Sequence, residues 1–143
     1  MPHAERTIII NRSPDEVFRF FSTPANDPTW RKGVKEISAE GPIAVGTKVH
    51  QTVAGPAGRS ITADIQVTAY EPPTRYGFQA IAGPARPVGE YRFAPSDKGT
   101  QVTFTLDAEL GGLKKLFLSG AVQKTMDGEM QALDAAKAKL EGG

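Results

Sequence analysis

Few side chains in this sequence are equipped for catalysis. It has two histidines and no cysteine in 143 residues, which excludes disulfides, cysteine nucleophiles and thiolate metal sites. His3 lies near the start of the chain, where backbone is seldom held firmly. His50 shares the more polar row of a strand with Lys48 and Thr52. It reads as an exposed imidazole, with a cavity acid/base role as the alternative if the strand has the opposite phase. Asp107 and Glu109 sit two residues apart on one strand face, a spacing at which paired carboxylates divide acid and base work when one is desolvated. They alternate with Leu106, Ala108 and Leu110, so the pleat turns them toward water, and Asp64 reads the same way. No ligand spacing points to a metal, and there is no nucleophile elbow, phosphate-cradling glycine loop or nucleotide fingerprint. No cofactor is expected.

The inward rows are more informative. Val49, Gln51, Ile65 and Val67 come from two strands, and Tyr76, Phe78, Tyr91, Phe93 and Phe104 from three more. They face Val122, Met126 and Met130 of a long helix. Such a set is either a solid core or the wall of a small-molecule site, which is typically apolar with a few polar groups. Gln51, Tyr76 and Tyr91 would be those groups, and methionines make an adaptable wall. Trp30, the one tryptophan, reads as a plug between helix and sheet, or as part of a cavity or its mouth. If the interior is catalytic, Tyr76, Tyr91, Arg92 or His50 would carry the chemistry, helped by enforced folding of the substrate.

These residues are positioned by a simple order of elements. Glu5 to Ile10 reads as a strand. Ser13-Pro14-Asp15-Glu16 is a capping box opening a short helix, with Val17, Phe20 and Phe21 on its buried face. Pro24 and Pro28 allow at most a second short helix before Trp30. Strands follow over 34–39, 46–53 and 61–69, then around Tyr76 to Ala80, Gly89 to Phe93 and Val102 to Ala108. Gly55-Pro56-Ala57-Gly58, Pro72-Pro73, Gly83-Pro84-Ala85-Arg86-Pro87 and Ser96-Asp97-Lys98-Gly99 connect them. Connections this short favour antiparallel hairpins.

The last helix runs from about Leu113 to Leu140. Leu113, Leu116 and Phe117 share one face; Val122, Met126, Met130, Leu133 and Leu140 share another, which predicts a bend or break near Ser119-Gly120. The amphipathic, basic stretch Leu113 to Leu118 is either a helix start packed over the sheet edge, or else a mobile gate or a surface that touches membrane when apolar cargo is loaded.

Composition sets the outer bounds. Hydrophobic residues are 39% and charged residues 23% of the chain, as in one folded domain. A net charge of +1 argues against nucleic acid as a partner. No run of apolar residues is long enough for stable membrane insertion, and the opening residues lack a signal-peptide core, so a cytoplasmic monomer or homodimer is expected.

Several stretches carry a resemblance. Ile10-Asn11-Arg12-Ser13-Pro14-Asp15-Glu16-Val17-Phe18 and Trp30-Arg31-Lys32-Gly33-Val34 look like motifs of the START-like SRPBCC superfamily. Gly46-Thr47, Val67-Thr68-Ala69-Tyr70-Glu71-Pro72-Pro73 and Gly99-Thr100-Gln101-Val102 occur in the same order in its polyketide cyclase/dehydrase-like branch. The resemblance spans nearly the whole chain. It implies an α+β helix-grip fold: a curved antiparallel sheet of about six or seven strands around a long C-terminal helix, with two short helices after the first strand. It further implies a cavity for a small hydrophobic or aromatic molecule, with Phe117 and Trp30 joining the lining named above. The function implied is a carrier or binding module, with a polyketide cyclase or dehydratase as the alternative. A protein-interaction domain of the chaperone-activator kind, its cavity vestigial, is a third implied role.

Overall fold

The structure is a computed structural model that describes residues 3–55, 58–82, 86–108 and 112–142, with only the backbone described for 112–119 and 121. The element order is β1 (His3–Ile10), α1 (Pro14–Phe21), a 3-10 helix (Pro24–Thr29), β2 (Val34–Ala39), β3 (Lys48–Ala54), β4 (Ser60–Thr62), β5 (Ile65–Glu71), β6 (Arg75–Ala80), β7 (Val88–Ser96), β8 (Gly99–Asp107) and α2 (Gly112–Gly142).

All neighbouring strands pair antiparallel in the order β1-β8-β7-β6-β5-β3-β2, with β4 as an extra partner of β3. This is the helix-grip arrangement: a curled sheet around a long C-terminal helix, with short helices after the first strand. Alternation chooses the inner face. In β8, Val102, Phe104 and Leu106 are buried while Gln101 and Asp107 are exposed. At the β7–β8 turn, Gly99 has φ +124, and a side chain there would lie 2.3 Å from the Ile10 carbonyl oxygen. The turn therefore requires glycine.

α1 starts where its capping signals place it. Ser13 Oγ accepts the Glu16 amide at 3.3 Å and Pro14 occupies the first turn. Its buried face is Val17, Phe18 and Phe21, not the expected Val17, Phe20 and Phe21. Phe18 wedges between the Tyr70 and Phe93 rings, at 5.5 and 5.4 Å. Phe20 is half-buried and lies edge-on to Phe21.

Two further expectations are corrected. The stretch 61–69 is not one strand, because Ala63 and Asp64 separate β4 from β5. There the Ala63 amide bonds Gln51 O, the Ala63 carbonyl accepts from Gln51 Nε2, and Asp64 Oδ1 accepts the Gln51 amide. Side chains thus replace part of the strand ladder. α2 runs on through Ser119-Gly120, which removes the break among the two expected alternatives. A helix-interior glycine costs only about 1 kcal/mol, which the backbone ladder absorbs. The contacts expected of Leu113, Leu116 and Phe117 lie outside the described side chains, as do parts of the 55–58, 83–87 and 109–112 connections.

α2 closes the open side of the sheet. Along β1, Arg6 donates to Met130 O and to Asp134, Lys137 donates to Ile9 O, and Gln123 exchanges two hydrogen bonds with the backbone of His3. On the opposite side the helix is tied by Glu129 to Arg31. The core lies between these two seams.

Candidate functional site

The inner face of the curled sheet is lined with rings. Tyr91 stacks on Phe104 with centroids 4.1 Å apart and packs on Phe21 at 4.9 Å. Tyr76 and Phe93 flank Tyr91 at 6.2 Å each, and Phe78 touches Tyr76, Tyr91 and Phe104. The part of α2 whose side chains are described contributes Met126, Met130 and Leu133, all buried.

Most of the expected lining comes together here. Trp30, Val67, Tyr76, Tyr91, Phe93, Phe104, Met126 and Met130 belong to one buried cluster, with Phe78 and Val122 packed against it. Val49 and Gln51 are buried beside it without joining it. Ile65 is the exception. It is half-buried and outside the cluster, because it opens β5 just after the Ala63–Asp64 interruption. Phe117 lies outside the described side chains. The rings pack on one another, so an incoming molecule must part them. Two surface voids, of about 430 Å³ beside α1 and about 310 Å³ beside His50, are not lined by these rings.

Against the aromatic interior stands a set of charges that sequence reasoning missed. Arg31 follows the 3-10 helix. Its Nε and Nη2 donate to the two carboxylate oxygens of Glu129 at 2.9 and 3.1 Å. Its Nη1 donates to Asp27 Oδ2 at 2.9 Å and to Gln51 Oε1 at 3.3 Å. The Arg31 and Asp27 side chains are only 15% and 16% exposed, so the set is largely out of water. Burial raises the Asp27 pKa from 3.8 to about 6, against the pull of Arg31. Burial also opposes the Arg31 charge, but Glu129 and then Asp27 outweigh it and hold the guanidinium above its ordinary value. Tyr91 and Tyr76 are raised well above the usual phenol range, first by burial and then by the Asp27 charge. Both phenols stay protonated near neutrality, so they can donate a hydrogen bond but not act as bases.

One signal could have revealed this set. Glu129 is three residues after Met126 and four before Leu133, so a carboxylate falls on the apolar stripe of α2. Asp27 and Arg31 are likewise four apart. Trp30, next to Arg31, is 3% exposed and edge-on to Phe21 at 5.4 Å. It belongs to the buried ring cluster.

The other chemical candidates are on the outside. His50 is half-exposed, with Nδ1 on Asp64 at 2.8 Å and Nε2 on Glu40 at 2.5 Å. Those two hydrogen bonds raise its pKa, Asp64 first. Asp64 is therefore not a free surface carboxylate: its hydrogen bond to His50 lowers its own pKa. Arg92 is exposed and bonded to Glu90. Pleat geometry removes His50 and Arg92 from the interior, leaving Tyr76 and Tyr91 of the four catalytic candidates. Asp107 is exposed and bonds His3, and Glu109 lies outside the described residues. Among the described residues no group of three or more His, Asp or Glu side chains is arranged to hold a metal ion.

With this geometry in hand, comparison with known proteins is decisive at the level of the family. The profile described as polyketide cyclase / dehydrase and lipid transport matches residues 1–141. The chain belongs to this family. Solved relatives share its fold at low identity. A Thermus thermophilus protein, TTHA0849, is 21% identical, with 96% of this chain and 94% of that one covered at a TM-score of 0.77. A START superfamily protein from Mycobacterium smegmatis is 14% identical, with 98% and 97% covered at 0.77. The di-domain ARO/CYC StfQ of the steffimycin biosynthetic pathway is 16% identical, with 99% of this chain and 51% of StfQ covered at 0.81. No curated protein gives a significant match. No described helix here is long and apolar enough to cross a membrane.

Proposed function

We propose that this family member binds a small, largely apolar or aromatic molecule between the sheet and α2. The observation that carries the reading is the buried Asp27–Arg31–Glu129 set placed against Tyr76 and Tyr91. Stability alone is a poor reason for such a set, since apolar replacements of buried ion pairs are often neutral or stabilising. An apolar wall with a few convergent polar groups is what small-molecule recognition uses. Met126 and Met130 supply side chains that repack easily around an occupant.

Native mass spectrometry of freshly purified protein tests the proposal. The expected result is a discrete non-covalent adduct, or uptake of 2-acetylnaphthalene at one equivalent. A bare chain that takes up no aromatic probe overturns it.

One observation favours a second reading, a cyclase or dehydratase working in the same interior. Asp27 is buried close enough to act on the Tyr91 phenol, and burial raises its pKa to about 6, close to where a general acid or base works best at neutral pH. The ARO/CYC role of StfQ agrees with that chemistry. An enzyme would lose turnover on Asp27→Asn while keeping its ligand; a carrier has no turnover to lose.

A further inference from the structure

The Trp30 Nε1 atom is buried and has no hydrogen-bond partner among the described residues. Its neighbours are well satisfied. Arg31 donates to Glu129, Asp27 and Gln51, and Gln51 in turn donates to the Ala63 carbonyl. An orphaned buried donor is unusual in a folded protein and calls for a physical reason. Phenylalanine would fill such a site without that cost.

Surroundings narrow what the donor is for. Phe21 touches Trp30 at 5.4 Å and Tyr91 at 4.9 Å, so the indole belongs to the same aromatic interior as the proposed ligand. The charges nearby are one guanidinium and two carboxylates, Arg31 with Asp27 and Glu129. Arg31 is already engaged by both acids, so no free cation remains in this set for an anionic guest, and the two carboxylates repel one.

We infer that Trp30 is a specificity-determining residue whose indole N–H donates to a neutral oxygen acceptor on the ligand, and that the site prefers uncharged, oxygen-bearing aromatic molecules over both hydrocarbons and carboxylates. This rests on the proposed binding role and goes beyond it by naming the donor and the ligand's polar group. An oxygen acceptor satisfies the indole; a hydrocarbon of the same shape leaves it orphaned. A carboxylate could accept the same hydrogen bond but must be desolvated beside Asp27 and Glu129.

Three shape-matched probes test this: 2-acetylnaphthalene, 2-isopropenylnaphthalene and 2-naphthoate, titrated calorimetrically at pH 7. The ketone should bind about tenfold tighter than the hydrocarbon, the loss expected for one buried hydrogen bond. It should also bind at least about tenfold tighter than the carboxylate. In Trp30→Phe the ketone's advantage over the hydrocarbon should vanish. The wild-type protein gives a readout independent of whether that variant folds. Trp30 is the single tryptophan, so the one indole N–H resonance should move downfield with the ketone and not with the hydrocarbon. Equal binding of ketone and hydrocarbon, an unmoved indole resonance or equal binding of the carboxylate overturns the inference while the binding role stands. If no probe binds, the inference falls, and the binding role falls with it only where native mass spectrometry also finds no adduct.

Discussion

The Arg31 guanidinium and the Glu129 carboxylate meet in a two-pronged pair at 2.9 and 3.1 Å, joining the segment after the 3-10 helix to the middle of α2. With the β1 seam on the other side, this contact holds the helix across the open face of the sheet. It also anchors Asp27 and Gln51 through the remaining guanidinium nitrogen.

Removing that cation should be costly. Arg31→Met leaves Asp27 and Glu129 as buried acids without a partner, and breaking such a set typically costs about 3–5 kcal/mol. Arg31→Lys keeps the charge but loses the fork, so it should fall in between. Urea denaturation ranks the three proteins. A loss below about 1 kcal/mol in Arg31→Met would show that the set is better solvated than its burial indicates.

Asp27 should leave a signature of unusual sign. Its folded pKa of about 6 lies above the ordinary 3.8. Between those values the native state therefore holds more protons than the unfolded state, and stability contributed by this group falls as pH rises from about 4 to about 6. Asp27→Asn removes the titration. The stability of wild type minus that of the variant should drop by up to about 3 kcal/mol across that window and then level off. A flat difference would show that Asp27 titrates as an ordinary carboxylate.

His50 should behave in the opposite region. Its hydrogen bonds to Asp64 and then Glu40 hold its pKa above 6.5. The stabilisation is complete below 6.5 and is lost as pH rises through the folded value. The imidazole resonance should titrate above 6.5 in wild type and move down toward it in Asp64→Asn. An unmoved midpoint would remove Asp64 as the cause.

The fold is readable in the sequence because its signals are local. Ser13, Pro14 and Glu16 mark a helix start within four residues, and Val102, Phe104 and Leu106 mark a strand by alternation. The interior rows follow from the same pleat rule. What escapes such reading is assembled across distance. Glu129 is 98 residues from Arg31 in the chain, and no periodicity links a loop guanidinium to a helix carboxylate. Ala63 and Asp64 escape for another reason: their alternation fits a strand, but side-chain bonds to Gln51 take the place of the ladder. His50 is legible as a surface residue, yet its two carboxylate partners come from elements that meet only in the folded sheet.

The most direct measurement of the central claim uses the methionine methyl groups. The chain has three methionines, and two of them, Met126 and Met130, are buried against the ring cluster. Carbon-13 methyl-labelled protein titrated with 2-acetylnaphthalene should show saturable shifts at Met126 and Met130. Unchanged Met126 and Met130 resonances at saturating probe would contradict binding between the sheet and α2.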